Sequence, residues 1–282
     1  GATADIAGAL NTLPGTQTVG EEGRLFVRGG DASETRTFID GMLVQRPFTS
    51  SVPDVPARGR FSPFLFKGTT FSTGGYSAEF GRALSSALLL ETQGLADETL
   101  TSVSLMSIGG GLSHTQRWEE SSLSLSGDYT NLGPYTGLVP QNIEWEKPVS
   151  AGGGQAVYRK QFGDDAMLKA QGSVQLSSLS MLYPDAEQVE NQIPLSLGND
   201  NYYANATYSD LINEKWSLDA GLAYGYDQEH ITQDFDLNRN SSMLQSRVKA
   251  THYPNDKLMI KTGIEWTQER FDEQFTDADG RA

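Results

Sequence analysis

From about residue 99 to near the C-terminus, apolar and polar residues alternate, and this pattern constrains the chain more than any other feature. Successive side chains of an extended strand point to opposite faces, so a period of two sorts residues onto the two faces of a sheet. In 166–176, Ala166, Leu168, Ala170, Gly172, Val174 and Leu176 share one face, and Met167, Lys169, Gln171, Ser173 and Gln175 share the other. In 216–226, Trp216, Leu218, Ala220, Leu222, Tyr224 and Tyr226 oppose Ser217, Asp219, Gly221, Ala223 and Gly225. In 258–266, Leu258, Ile260, Thr262, Ile264 and Trp266 oppose Met259, Lys261, Gly263 and Glu265. Shorter segments of the same kind lie at 121–130, 156–162, 201–208 and 243–252.

The three clearest segments run about 9–11 residues, the length that crosses a bilayer at a tilt. Strands of soluble proteins are nearer about 5–6 residues. Tyr202, Tyr208, Trp216, Tyr226, Tyr253 and Trp266 stand at or near segment ends, where an interfacial aromatic girdle lies. Lys, Gln, Ser and Asp on the second face suit a wet lumen. A soluble β-sandwich with one solvated face would alternate in the same way but with shorter strands.

Short turns are expected at Gly163–Asp165, Ser209–Glu214 and Pro254–Asp256, and long connections at about 131–149, 179–200, 228–241 and from 268 onward. Short turns on one side and long loops on the other are the pattern of an outer-membrane barrel, with the short turns periplasmic. Pro184, Pro194 and the acid- and amide-rich run Asp185–Gln192 mark 179–200 as an extracellular, mobile loop. Strands at about 99–107, 110–117 and 121–130, with a first hairpin around Gly109–Gly111, begin a count that reaches nine with 257–268. Bacterial single-chain barrels use even numbers. A sheet of nine is therefore not expected to close within these residues.

Composition removes several function classes. A net charge of −15 argues against a nucleic-acid partner, which needs a basic footprint. There is no cysteine, so disulfides, thiolate metal sites and cysteine nucleophiles are excluded. His114, His230 and His252 lie far apart without metal-ligand spacing. No apolar run approaches the roughly 18 residues of a membrane helix, the longest being Ala87–Leu90. Asp277-Ala278-Asp279-Gly280 lacks the rest of a calcium loop. Gly152-Gly153-Gly154 is followed by no lysine–serine pair and is no phosphate cradle. Glu119-Glu120 and Asp164-Asp165 are carboxylate pairs on expected turns, and no nucleophile–base set is present. Neither catalysis nor a metal or other cofactor is expected.

Residues 1–97 have a different texture, irregular and rich in Gly, Pro and Arg. Asp5-Ile6-Ala7-Gly8-Ala9-Leu10 runs into Leu13-Pro14-Gly15-Thr16, a helix with its stop signal. Leu25-Phe26-Val27-Arg28-Gly29-Gly30, Thr37-Phe38-Ile39-Asp40-Gly41-Met42, Gly75-Tyr76-Ser77-Ala78-Glu79-Phe80-Gly81 and Ala87-Leu88-Leu89-Leu90-Glu91-Thr92 follow in order. This succession resembles the plug domain of TonB-dependent outer-membrane receptors. Two departures stand out: Arg82-Ala83-Leu84-Ser85-Ser86 replaces the family's usual Gly-Gly, and the TonB box and first plug strands have no counterpart here.

The resemblance implies a mainly β chain, with an α+β plug at 1–97 and the first, about nine, strands of a transmembrane β-barrel at 98–282. A barrel of about 22 strands is wide enough to need such a plug. It implies a transporter rather than an enzyme, energised by TonB and its inner-membrane complex. The transporter would sit in the outer-membrane lipid of a Gram-negative cell with the plug facing the periplasm, and a surface lipoprotein could be a further partner. The imported ligand would be a siderophore, cobalamin, an oligosaccharide or a peptide. Ligand-facing candidates on the two plug loops, about 16–24 and 42–64, are Gln17, Arg46, Phe48, Arg58, Arg60 and Phe61. Motif positions with structural roles are Arg28, Gly29, Asp40, Gly41, Glu79 and Gly81, with Arg28 expected to be buried and paired. Arg24, Arg28, Arg36, Arg46, Arg58 and Arg60 are expected to meet lumenal carboxylates. The other reading of the chain is a secreted acidic β-sandwich, serving as a carbohydrate-binding module or glycosidase.

Overall fold

The computed structural model describes residues 6–17, 24–50, 57–140, 144–184 and 192–277. A short helix α1 (Ile6–Leu10) buries Ala7 and Leu10. The chain then turns through Gly15, whose φ of 89° suits a residue without Cβ. Two short strands, β1 (Thr16–Gln17) and β2 (Phe26–Val27), pair antiparallel. Four more form a mixed sheet: β3 (Thr35–Ile39), β4 (Met42–Val44), β5 (Phe66–Ser72) and β6 (Ser86–Thr92), in the order β4-β3-β6-β5. Strand β3 runs parallel to β6; the other pairs are antiparallel. Asp40 and Gly41 join β3 to β4 with φ of 49° and 80°. Asp-Gly is the pair that accepts positive φ at both centres of a tight hairpin.

The rest of the chain is one antiparallel sheet of nine strands, each paired with its neighbour in sequence. These are β7 (Leu100–Met106), β8 (Gly109–Arg117), β9 (Ser121–Asn131), β10 (Glu144–Phe162), β11 (Ala166–Pro184), β12 (Gln192–Asn213), β13 (Trp216–Thr232), β14 (Phe235–Asn255) and β15 (Leu258–Asp277). The count agrees with the sequence. Strands β7 and β15 are the two edges, and the sheet is open. One continuous sheet with strands of up to 22 residues, each paired with its sequence neighbour, departs from the short-stranded sandwich of the other reading.

Several boundaries differ from expectation. Residues 179–184 and 192–200 are paired strand rather than long loop, and 185–191 lie outside the described residues. Residues 228–232 and 235–241 are also strand, joined by Gln233 and Asp234, and β15 continues through 268–277. The reason is that pairing persists after the hydrophobic contrast ends. Asp227, Gln228, Glu229 and His230 are polar on both faces, so the period-two signal fades while the ladder runs on. Part of 131–149 is a helix, α2 (Gly133–Leu138), and β10 already begins at Glu144. Gly109–Gly111 lie inside β8, and the preceding turn falls at 107–108.

The facing follows the alternation. Leu222 and Tyr224 on β13 are exposed on the outer face at 58% and 47%, while Ala223 between them is 2% exposed. Lys169 and Lys261 point inward to Asp40 and Glu79. Trp216 and Tyr226 are ten residues apart on the outer face, roughly 33 Å along the strand and about 25 Å upright at the usual tilt, the height of a barrel's apolar band. Trp216 stacks on His252 near one edge of that band, and Tyr202 meets Tyr226 near the other. Trp266 is an exception. It pairs with Ser246, which pairs with Leu222, so it stands in the middle of the band rather than at its rim.

Two hydrophobic clusters join the N-terminal unit to the wall, and the smaller sets Phe38, Leu43 and Ala87 against Met243 of β14. Leu25, Ile39, Met42, Val44 and Leu88 pack with Tyr203 and Ala223 of the large sheet. Close approach depends on Gly221, where an added Cβ would stand 2.5 Å from Met42 Sδ and 3.2 Å from Thr207 Cγ2. At Gly225 the nearest atoms would be 4.0 Å away. Gly221→Val should therefore destabilise the protein by about 1–3 kcal/mol through overpacking, and Gly225→Ala should be nearly silent. The midpoint of urea unfolding in detergent checks both.

Candidate functional site

The short turns at 163–165, 214–215 and 256–257 define one end of the wall, here the near end; the hairpin at 233–234 lies at the far end. A cleft of about 440 Å³ opens at the far end between the N-terminal unit and the inner wall. Arg24, Arg36, Arg46, Phe48 and Arg60 line it from the N-terminal side. Asp227, Glu229, Arg239, Phe271 and Glu273 line it from β13, β14 and β15. Arg239 is held by Glu229 and Glu273. Three buried polar atoms on lining residues, Arg24 Nε, Gln45 Oε1 and Arg60 Nε, have no hydrogen-bond partner among the described residues.

Arg60 is the best-anchored group in the cleft. Its Nη2 donates to Asn199 Oδ1 at 2.7 Å and to Asp227 Oδ2 at 3.2 Å. Gln175 Nε2 donates to the Arg60 carbonyl at 2.5 Å, and Asn201 Nδ2 donates to Asp227 Oδ2 at 2.9 Å. Burial pushes the Arg60 pKa down to about 10, against the pull of Asp227, so the guanidinium stays charged at neutral pH.

Arg46, Phe48 and Arg60 come together in this cleft. The other three ligand-facing candidates do not join them. Phe61 is buried in the core, edge-on to Tyr203 at 5.5 Å. Arg58 is exposed, and its backbone pairs with Thr49. Gln17 is exposed on β1 opposite Phe26. Parts of both candidate loops, 18–23 and 51–56, lie outside the described residues, as do 278–280 of the Asp-rich C-terminal motif. Asp227, Glu229, Arg239, Phe271 and Glu273 were missed because their segments read as loops. Extending the β13 alternation past Tyr226 would have placed Asp227 and Glu229 on the inner face.

Arg28 is a correction. It is exposed rather than buried, with its guanidinium beside Gly74 and no ion pair among the described residues. Its φ of 52° and the 78° of Gly29 fold the chain back, with Gly30 N donating to Val27 O at 2.9 Å, so the side chain leaves the core. Among the six arginines expected to meet lumenal carboxylates, Arg60 does so; Arg36 Nε donates instead to the Arg82 carbonyl.

At the near end the charges are reversed: the N-terminal unit supplies acids and the wall supplies bases. Asp40 accepts from Thr92 N at 3.0 Å and from Thr92 Oγ1 at 2.5 Å, and pairs with Lys169 at 3.2 Å. Arg159, 2% exposed, donates to Thr92 Oγ1 at 2.8 Å and Gln93 O at 3.0 Å. Arg247 Nη1 donates to the Gly41 carbonyl at 2.7 Å. Glu79 receives Arg247, Lys249 and Lys261 at 3.0, 3.3 and 3.2 Å. Burial raises the Glu79 pKa, but Lys249 and Lys261 outweigh it and hold the carboxyl below its ordinary value. Gly81 is exposed and marks the end of this segment.

Scans against protein-family models and curated proteins return no match. Solved structures do match. The siderophore receptor PiuA from Acinetobacter baumannii superposes with a TM-score of 0.66 at 12% identity, over 98% of this chain and 45% of the receptor. The copper transporter OprC gives 0.70 at 14%, over 98% and 46%. The ferric-catecholate import receptor Fiu from E. coli K12 gives 0.65 at 13%, over 95% and 47%. The chain thus spans about half the length of the structures it matches, and it has the fold of TonB-dependent outer-membrane receptors.

Two stability measurements probe the two ends. Arg60→Ala would strand Asp227 in a buried site and should cost about 3–5 kcal/mol in urea unfolding, whereas exposed Arg46→Ala should change stability by less than about 0.5 kcal/mol. Because the folded pKa of Glu79 is depressed, its stabilisation is complete above the ordinary carboxylate value of about 4.3 and is lost as pH falls through the lower folded value. The gap in urea midpoint between wild type and Glu79→Gln should therefore be constant near neutrality and close in acid.

Proposed function

We propose that this chain is part of an outer-membrane transporter that imports a large or scarce ligand, energised by TonB and its inner-membrane complex. In this reading residues 1–97 form the plug, and 98–282 form the first strands of a transmembrane barrel in outer-membrane lipid. The near end faces the periplasm and the far-end cleft opens outward. The observation that carries the reading is that cleft, in which arginines of the N-terminal unit converge on a carboxylate-bearing wall within a receptor fold. Arg24, Arg36 and Arg46, beside Phe48 and Phe271, favour a ligand with acidic groups on a flat or apolar frame. A siderophore meets that description better than cobalamin, a neutral oligosaccharide or a peptide. The structural neighbours include receptors titled for siderophores and a transporter titled for copper, which supports transport over catalysis. A surface lipoprotein over the cleft remains a compatible partner.

The test is a growth screen on scarce nutrients with a deletion strain, repeated in a strain lacking TonB. Loss of growth on the same ligand in both strains is the expected result; growth that needs this protein but not TonB would overturn the reading. Placement is checked by Leu222→Arg. A charge on the lipid face near the midplane costs about 2–4 kcal/mol, so membrane insertion should fall sharply.

A further inference from the structure

The cluster around Glu79 has the geometry of an oxyanion site with an occupant already in it. Arg247 and Lys249 stand on the inner face of β14, and Lys261 stands beside them on β15. Arg247 Nη2 and Lys249 Nζ reach one oxygen of Glu79 at 3.0 and 3.3 Å, and Lys261 Nζ reaches the other at 3.2 Å. Three cations on one carboxylate exceed what its charge requires. Charge-assisted donors converging from several side chains are how proteins hold carboxylates and phosphates. Two of the three are also held by partners other than Glu79. Arg247 is fixed by the Gly41 carbonyl at 2.7 Å and lies 5.6 Å from the Phe80 ring centre, and Lys249 also pairs with Asp219 at 3.3 Å. A cavity of about 470 Å³ adjoins, lined by Ser77, Gly81, Thr262 and Gly263 as well as the cations.

Glu79 stands outside the strand ladders. It lies between β5 and β6 in an irregular segment, preceded by Gly74 and Gly75 and followed by Arg82, all at positive φ. Side-chain contacts hold it against the wall, with no strand pairing of its own.

We propose that Arg247, Lys249 and Lys261 form an oxyanion-binding site in the wall, occupied at rest by Glu79 and taken over by a carboxylate or phosphate of the passing ligand when the N-terminal unit shifts. The site lies at the opposite end of the wall from the arginine cleft, so an acidic ligand would pass from one cationic station to a second. The takeover step rests on the uptake reading; the existence of the site does not. Inorganic phosphate is the probe, titrated by calorimetry into the purified full-length protein. Glu79→Ala, which vacates the site, and Glu79→Gln, which keeps the shape without the charge, should each bind phosphate at least about tenfold more tightly than wild type. Adding Lys249→Gln and Lys261→Gln should abolish the gain. Binding no tighter than wild type in both single variants, or binding that survives the lysine replacements as an adventitious ion, overturns the proposal. Because the titration uses neither TonB nor the natural ligand, its failure leaves the uptake reading intact, and failure of uptake leaves the phosphate result standing.

Discussion

A charge buried between two packed surfaces is tolerated only when its complement is built opposite, and the rest of this structure follows from that requirement. The inner wall is mainly basic at the near end, through Arg159, Lys169, Arg247, Lys249 and Lys261 with Asp219 beside Lys249, and mainly acidic at the far end, through Asp227, Glu229 and Glu273 with Arg239 between the two glutamates. The N-terminal unit carries the opposite arrangement, with Asp40 and Glu79 at the near end and its arginines at the far end. Inverting the unit in the wall would set Arg60 against wall cations and Glu79 against wall carboxylates. Complementarity of this kind specifies orientation and register more than it adds net stability.

Hydrophobic contact supplies the adhesion that the charges orient. Ile39, Met42, Val44 and Leu88 meet Tyr203 and Ala223 across the seam, and the small side of β13 at Gly221 lets Met42 reach the wall. The same strand faces outward with Leu222 and Tyr224. The period of two is therefore a division of labour within single strands. One register is available to lipid, and the other takes whatever the enclosed unit needs: small where backbone approaches, cationic opposite acids, acidic opposite Arg60.

The far-end cleft and the near-end cluster use the same chemistry at different depths. In the cleft, Arg24 Nε, Gln45 Oε1 and Arg60 Nε are buried with no hydrogen-bond partner among the described residues. At the near end every cation around Glu79 is already engaged. That difference sets the open cleft apart from the ion pairs around Glu79 that fasten the unit to the wall.

Sequence alone determined the number of wall strands and the facing of Leu222 against Ala223 and of Lys169 and Lys261. Each of these rests on local chemistry, alternation over a contiguous stretch. The resemblance to receptor plugs brought Arg46, Phe48 and Arg60 forward, as arginines and aromatics on the loops it marks as ligand-facing. Tertiary structure decided the rest. Asp227 and Glu229 became cleft residues because strand pairing outlasts hydrophobic contrast, and a ladder held by backbone bonds leaves no mark in side-chain polarity. Phe61 went to the core and Arg28 to solvent because their neighbours in space, Tyr203 and Gly74, are set by packing and backbone turns that residue type does not encode. The pairing of Glu79 with Arg247, Lys249 and Lys261 joins positions more than 160 residues apart, and only the packing of the unit against the wall brings them within 4 Å.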